Sequence, residues 1–70
     1  MSLIFRIELE REQDGRWIAE VPELPGVLVY GGSREDAAQH ARAMALRVLA
    51  DRIESGELAA ESVAVVSFAA

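Results

Sequence analysis

Three glutamates fall on the same side of two neighbouring strand-like segments of this chain of 70 residues. Glu8 and Glu10 alternate with apolar residues in the first segment, and Glu20 lies in the second. Grouped carboxylates can hold Mg²⁺ for the cleavage of nucleic acids. However, Arg6 and Arg16 fall on the same face, and the sequence indicates no cleft around the acids. An acidic surface that faces solvent or a partner is therefore favoured, with a carboxylate-metal nuclease as the less favoured alternative.

The single histidine suggests little further chemistry. His40 follows Asp36 by four residues in a predicted helix, and an acid at this spacing can orient an imidazole. Such a pair is more often a solvated surface contact, and a second histidine for a metal site is missing. The chain has no cysteine, which excludes a thiolate nucleophile and a disulfide framework. We predict neither catalysis nor a cofactor.

The charge balance narrows the possible partners. The net charge is −5, with 12 acidic residues against 7 basic ones, and all the basic residues are arginine. Binding to a phosphate backbone needs a basic surface, so direct contact with nucleic acid is not expected. An acidic surface attracts basic proteins instead. The N-terminal residues do not resemble a signal peptide, and no apolar run approaches the roughly 20 residues that span a bilayer. A cytoplasmic location without membrane contact is predicted.

Alternating apolar and polar residues predict the first two strands, over residues 3–11 and 16–21. A two-residue turn between them would place apolar side chains opposite polar ones. A three-residue loop over 13–15 pairs Leu9 with Ala19 and keeps the buried side chains on one face. This loop fits a type I turn followed by Gly15 in the left-handed conformation. The same register sets Glu8 opposite Glu20.

The rest of the chain predicts a third strand over residues 27–30, a helix, and a last strand over 62–68. Ser33 is a good N-cap for the helix, which is expected to continue to about Glu54 and to stop at Gly56. The order β-β-β-α-β indicates an α+β fold. We predict a four-stranded mixed sheet in strand order 3-2-1-4, with the helix packed on one face and the other face open.

The predicted helix has an unusually wide apolar surface. Ala37, Ala41, Met44, Ala45 and Val48 form one stripe, and flanking residues widen the apolar arc to roughly 200°, beyond a common single-face stripe. Either a loop or the last strand covers this flank, or it is a self-association surface. A core of this size rarely contributes more than about 3–5 kcal/mol to the net stability of the fold. Oligomers are therefore favoured, because a second copy allows more surface to be buried. The candidate self-association residues are Leu46, Leu49 and Ile53.

The stretch VPELPG, residues 21–26, forms a stiff corner between the second and third strands. Pro22 ends the second strand because proline cannot donate to a ladder, and Pro25 with Gly26 suits a tight turn. Glu23 and Leu24 lie between the two prolines. Two interpretations remain open: Leu24 fills the edge of the core, or the rigid corner is a contact site for a partner.

Residues 14–46 resemble the HicB-like antitoxin family. The resemblance consists of an aromatic residue, an Ala-x-Val-Pro-Glu-Leu-Pro-Gly corner, a short strand, a glycine and an acidic helix start with alanine. Tyr30 departs from the small or polar residue expected before the glycine. The matching positions are Trp17, Ala19, Val21, Pro22, Glu23, Leu24, Pro25, Gly26, Gly31, Glu35, Asp36 and Ala37.

This resemblance implies a partial ribonuclease H-like domain, which is expected to occupy residues 1–70. Many members of the family carry a C-terminal DNA-binding domain as well, and the chain is expected to depart from them by lacking it. The resemblance also implies a homodimer or higher oligomer without catalytic activity, which binds a small basic HicA-like ribonuclease toxin and blocks its RNA site. An orphan oligomer with a regulatory or scaffolding role is the alternative. The candidate partner-binding residues are Glu8, Glu10, Glu20, Glu23 and Leu24.

Overall fold

The computed structural model describes residues 2–63 and 65–70, and these residues form an α+β fold with one long helix. The class predicted from the sequence is therefore confirmed. The elements in chain order are β1 (Ser2–Arg6), β2 (Glu8–Arg11), β3 (Trp17–Glu20), β4 (Leu28–Gly31), α1 (Arg34–Glu54), a short 3-10 helix (Ala60–Ser62) and β5 (Val65–Ala69).

The strands form two sheets rather than one. β2, β3 and β4 make an antiparallel sheet, which we call the covered sheet because α1 packs on it. β1 and β5 run parallel to each other and form a separate two-stranded sheet, the β1–β5 pair. The prediction of a single four-stranded sheet in order 3-2-1-4 is wrong. The segment predicted as one strand over residues 3–11 is divided at Ile7 into β1 and β2.

The division at Ile7 has a cause in the neighbouring strand. The register that pairs Glu8 with Glu20 would set Arg6 opposite Pro22 if the ladder continued. Proline has no N–H to donate, and the chain turns away from the sheet at this point. β1 therefore loses its neighbour on that side. It keeps β5 on the other side, where the Ile7 N–H donates to the carbonyl of Ala69 at 2.7 Å.

The first hairpin has the predicted register. Leu9 pairs with Ala19 and Glu8 with Glu20, and the Glu12 N–H donates to the carbonyl of Arg16 at 2.7 Å. Three residues remain for the loop, and Gly15 has a φ of 91°, the left-handed value that the turn requires.

The helix boundaries also follow their predicted signals. The Ser33 hydroxyl accepts a hydrogen bond from the Asp36 N–H at 3.0 Å, as expected for an N-cap. α1 ends at Glu54, and Gly56 beyond it has a φ of 84°. The last strand begins later than predicted because residues 60–62 form the 3-10 helix. The predicted strand also includes residue 64, which lies outside the described residues.

The core lies between α1 and the covered sheet, and small residues bring the two close together. A Cβ atom on Gly31 would come within 2.4 Å of the backbone nitrogen of Ala37, so only glycine fits at that position of β4. Met44 and Val48 of the predicted stripe are only partly buried, whereas Leu49 is buried. The buried helix residues are Ala37, Ala38, Ala41, Ala45 and Leu49.

The β1–β5 pair lies beside this core, and its contacts with α1 are much sparser than those of the covered sheet. Its inner side chains reach the edge of the core, where the rings of Phe5 and Phe68 lie 5.9 Å apart. Within the described residues, no helix is both long enough and apolar enough to cross a membrane.

Candidate protein-binding surface

The face of the covered sheet that points away from α1 carries most of the candidate residues. Successive side chains of a strand point to opposite faces, so the residues that alternate with the buried ones share this surface. The register places them in two rows across the three strands. We call this surface the open face, and it consists of Glu8, Glu10, Ile18, Glu20, Leu28 and Tyr30.

The acidic part of the open face is formed by β2 and the end of β3. Glu8 lies directly opposite Glu20, and Glu10 is the next residue on the same side of β2. Arg6 approaches Glu8 only to 3.9 Å. Among the described residues, Glu10 and Glu20 make no ion pair. The structure therefore brings together three of the five predicted partner-binding residues, with little compensation of their charge.

The carboxylates surround a shallow depression of about 150 Å³, whose lining also includes Leu9 and Ile18. In the part of the chain that the structure describes, no group of three or more histidine, aspartate or glutamate residues has the arrangement needed to hold a metal ion. The chemistry that this geometry offers is the attraction of positive charge.

The other part of the open face is apolar. Leu28 and Tyr30 of β4 are 46% and 43% exposed, and Ile18 of β3 lies partly exposed beside them. The guanidinium of Arg16 lies 4.6 Å from the centre of the Tyr30 ring, a cation–π contact. The sequence identified Tyr30 as a departure from the family pattern. It did not show that this side chain lies on the same surface as the three glutamates.

Arg16 is held away from the glutamates by its own loop. Its side chain forms an ion pair with Asp14 at 2.8 Å, and its backbone N–H donates to the same carboxylate at 3.0 Å. The hydrogen bond from this N–H is the main reason that the pKa of Asp14 lies below its ordinary value. Arg16 thus neutralises Asp14 and not the acidic part of the open face.

Glu23 is held at the edge of β1, where it binds the same Arg6 guanidinium that approaches Glu8. Its carboxylate accepts hydrogen bonds from the backbone N–H of Arg6 at 3.2 Å and from the guanidinium of the same residue at 3.0 Å. The side-chain hydrogen bond is the main cause of the lowered pKa of Glu23. The Arg6 N–H points to the side where β3 would have continued. The carboxylate therefore replaces the strand that is missing there.

The corner that presents Glu23 consists of two successive β-turns, each with a proline at its second position. The Leu24 N–H donates to the Val21 carbonyl at 3.0 Å, and the Val27 N–H donates to the Leu24 carbonyl at 3.1 Å. Gly26 has a φ of 92°, as expected at the third position of a type II turn. Leu24 is only 2% exposed. Of the two interpretations of the corner, the structure supports the one in which Leu24 fills the core, so this side chain is not available to a partner.

The three candidate self-association residues differ in burial and do not form an exposed apolar surface. Leu49 is buried in the core, Ile53 is half-buried and Leu46 is exposed. The prediction placed Leu49 beside the apolar stripe of the helix. In the structure, the side of α1 that packs on the covered sheet is rotated towards Leu49 and includes it. An open groove of about 470 Å³ runs along the helix between Met44 and Glu54, and none of the three residues lines it.

His40 is engaged differently from the prediction. Its Nδ1 lies 2.9 Å from the backbone carbonyl of Tyr30 and donates to it, so the imidazole binds the end of β4 and not Asp36. This contact ties the first half of α1 to the strand that carries the apolar part of the open face. The sequence offered no signal for it, because residues 30 and 40 become neighbours only through the fold.

Comparisons with models of protein families, with curated proteins and with solved structures found no match to this chain.

Proposed function

We propose that this chain is a cytoplasmic protein-binding module of the HicB-like antitoxin type, with a partial ribonuclease H-like fold. Its role in this proposal is to bind a small basic ribonuclease of the HicA-like type and to neutralise it, without catalysis of its own. The observation that carries the proposal is the composition of the open face, where poorly compensated carboxylates adjoin exposed apolar side chains. The motif of residues 14–46 supplies the identity of the partner class.

The two parts of the open face have different tasks in this proposal. Leu28 and Tyr30 supply apolar area. Tyrosine is one of the residue types that often dominate the energy of protein interfaces. The carboxylates of Glu8, Glu10 and Glu20 lie beside this area. Charges at the edge of an interface accelerate the encounter with an oppositely charged partner and fix its orientation.

Neutralisation follows from the same charge pattern. A ribonuclease must bind the phosphate backbone of RNA through basic residues. A surface that presents carboxylates to those residues occupies the positions that phosphates would take. Binding of the module and binding of RNA are therefore mutually exclusive in this mechanism.

The decisive experiment is co-expression with a small basic protein encoded beside this chain. We expect the two proteins to co-purify and the ribonuclease activity of the partner to disappear in the complex. If no such neighbour binds, the antitoxin proposal fails, and a regulatory or scaffolding role takes its place. If the neighbour binds but continues to cleave RNA, the module is not an inhibitor.

Charge-matched variants test whether the open face is the binding surface. Glu10→Gln with Glu20→Gln removes two carboxylates from this face, and we expect the association rate to fall about three- to tenfold at low salt, with a weaker salt dependence. Glu57→Gln with Glu61→Gln changes the net charge equally at exposed positions outside the open face and serves as the control. Equal losses in both double variants would show that only the net charge matters and that the open face is not the site.

A further inference from the structure

The outer edge of β5 is a second surface of a different kind. β5 pairs with β1 on one side, and no other described strand pairs with it. In a strand, the N–H and C=O of one residue point to the same side, and the side alternates from residue to residue. The Ala69 carbonyl bonds to Ile7 in the direction of β1. The backbone groups of Val66 and Phe68 therefore point outward, along the unpaired edge.

This edge lacks the features that normally protect sheet edges. Residues 62–70 contain no charged residue, and neither do residues 2–5 of the paired strand. Charges, prolines and bulges are the usual means of preventing edge-to-edge pairing. In addition, Ile4 and Val65 on the outer face of the β1–β5 pair are 66% and 54% exposed, the largest exposures among the large apolar side chains of the described residues.

The β1–β5 pair is also incomplete as a sheet. Two strands alone are marginally stable in water, and a third strand or a packed helix is usually needed. Here α1 packs mainly on the covered sheet, so the pair is supported by the inner side chains that reach the core and, within the described residues, lacks a packed helix of its own. A further strand on β5 would supply the missing hydrogen bonds and extend the inner row that contains Val66 and Phe68.

We propose that a second copy of this chain occupies this edge, with β5 pairing antiparallel to β5 of the other copy about a twofold axis. Charge favours this occupant. The chain carries a net charge of −5, so two copies repel each other across most of their surfaces, and they meet most easily where the surface is uncharged. A basic partner gains no charge complementarity at this edge, whereas the open face offers it.

The twofold axis determines a specific register. A pairing that sets Val66 opposite Phe68 of the other copy allows their outward-pointing backbone groups to form hydrogen bonds. The same pairing places Ser67 opposite Ser67 of the other copy. The backbone groups of Ser67 point to β1, so this central pair is not hydrogen-bonded, and its Cα atoms lie about 4.5 Å apart. That separation is within the range of a disulfide, about 4.4–6.8 Å.

The absence of cysteine from the chain allows a clean cross-linking test. We expect the protein to sediment as a dimer and Ser67→Cys to form a disulfide-linked dimer under mild oxidation. Ser67 is exposed, so the substitution leaves the fold of one copy intact. Ser55→Cys, at the exposed end of α1, is the control and is expected to remain uncross-linked at the same concentration.

A charge variant gives an independent measurement. Ser67→Asp would place two like charges opposite each other across the axis, and we expect the dimer dissociation constant to rise about tenfold or more. Ser55→Asp makes the same change of net charge away from the axis and is expected to have little effect. A monomer at all accessible concentrations would overturn the proposal. So would a dimer that Ser67→Cys does not cross-link and Ser67→Asp does not weaken. This dimer does not depend on the proposed function, since either surface can fail while the other holds.

Discussion

The covered sheet and the β1–β5 pair meet where β1 runs into β2, but they are stabilised differently. The covered sheet has three strands and a 21-residue helix against one face, with alanines and Gly31 in close contact. The β1–β5 pair has two strands and, among the described residues, no helix packed on it, and it is held by its inner side chains at the edge of the core and by the link from Glu23 to Arg6. We infer that the covered sheet sets the global stability, while the β1–β5 pair opens more easily because it leaves more backbone at a free edge.

The largest expected effect concerns the corner that closes the core. Leu24→Ala removes a side chain that is 2% exposed, and we expect the free energy of unfolding to fall by about 3 kcal/mol. Chemical denaturation measures this change. Leu46→Ala, at a position that is 49% exposed, is the control and should change stability by no more than about 0.5 kcal/mol.

Hydrogen exchange of the same variant tests the difference between the two regions. Exchange of β3 amides should accelerate in Leu24→Ala, because they exchange through global unfolding. The Ile7 amide, which bonds to Ala69, should keep its rate if the β1–β5 pair opens locally. Equal acceleration at both places would mean that the two sheets open together and that the inferred difference does not exist.

The next effect concerns the contact between β4 and α1. Gly31→Ala would bring a Cβ within 2.4 Å of the Ala37 nitrogen, so the helix must shift. We expect the free energy of unfolding to fall by about 2 kcal/mol. Gly32→Ala is the matched control, since its Cβ would meet only Asp36 Oδ2 at 3.8 Å. Thermal denaturation of both variants provides the measurement. Similar melting temperatures for the two would contradict the close approach of the helix and the sheet.

The smallest effect concerns the link between the two regions. The pKa of Glu23 lies below the ordinary glutamate value of 4.5 because Arg6 donates to its ionised carboxylate. Its contribution to stability is therefore present above about pH 4.5 and is lost as the pH falls through the lower folded-state value. Glu23→Gln should be less stable than the natural chain at neutral pH, and the difference should vanish in acid.

The control for this pH dependence is Glu57→Gln, an exposed glutamate for which the structure provides no ion pair among the described residues. Stability curves of the three proteins against pH provide the comparison. A difference between Glu23→Gln and the natural chain that persists unchanged in acid would show that the ionised carboxylate contributes nothing through Arg6.

Local signals in the sequence were sufficient to predict the features that depend on neighbouring residues. The cap at Ser33 and the stop at Gly56 follow from residue types next to the helix ends. The register of Glu8 with Glu20 follows from the requirement that apolar side chains share one face. The acidic part of the open face was predictable for the same reason.

Features that depend on distant residues could not be predicted in this way. The alternation of residues 3–11 continues through Ile7, so the pattern contains no sign that its two halves pair with different partners. The contacts of Glu23 with Arg6 and of His40 with Tyr30 span 17 and 10 positions of the chain. Leu24 illustrates a further limit, since the sequence was compatible with both a buried and an exposed position.

The small side chains between α1 and β4 have a mechanical consequence. Where Gly31 meets Ala37, the backbone of the helix lies almost directly against the backbone of the strand, with no long side chain between them to be compressed. Tyr30 and Leu28 on the opposite side of β4 therefore rest on a stiff support. In the proposed complex, contact with the partner is therefore expected to deform the sheet very little, so that little of the binding free energy is spent on bending it.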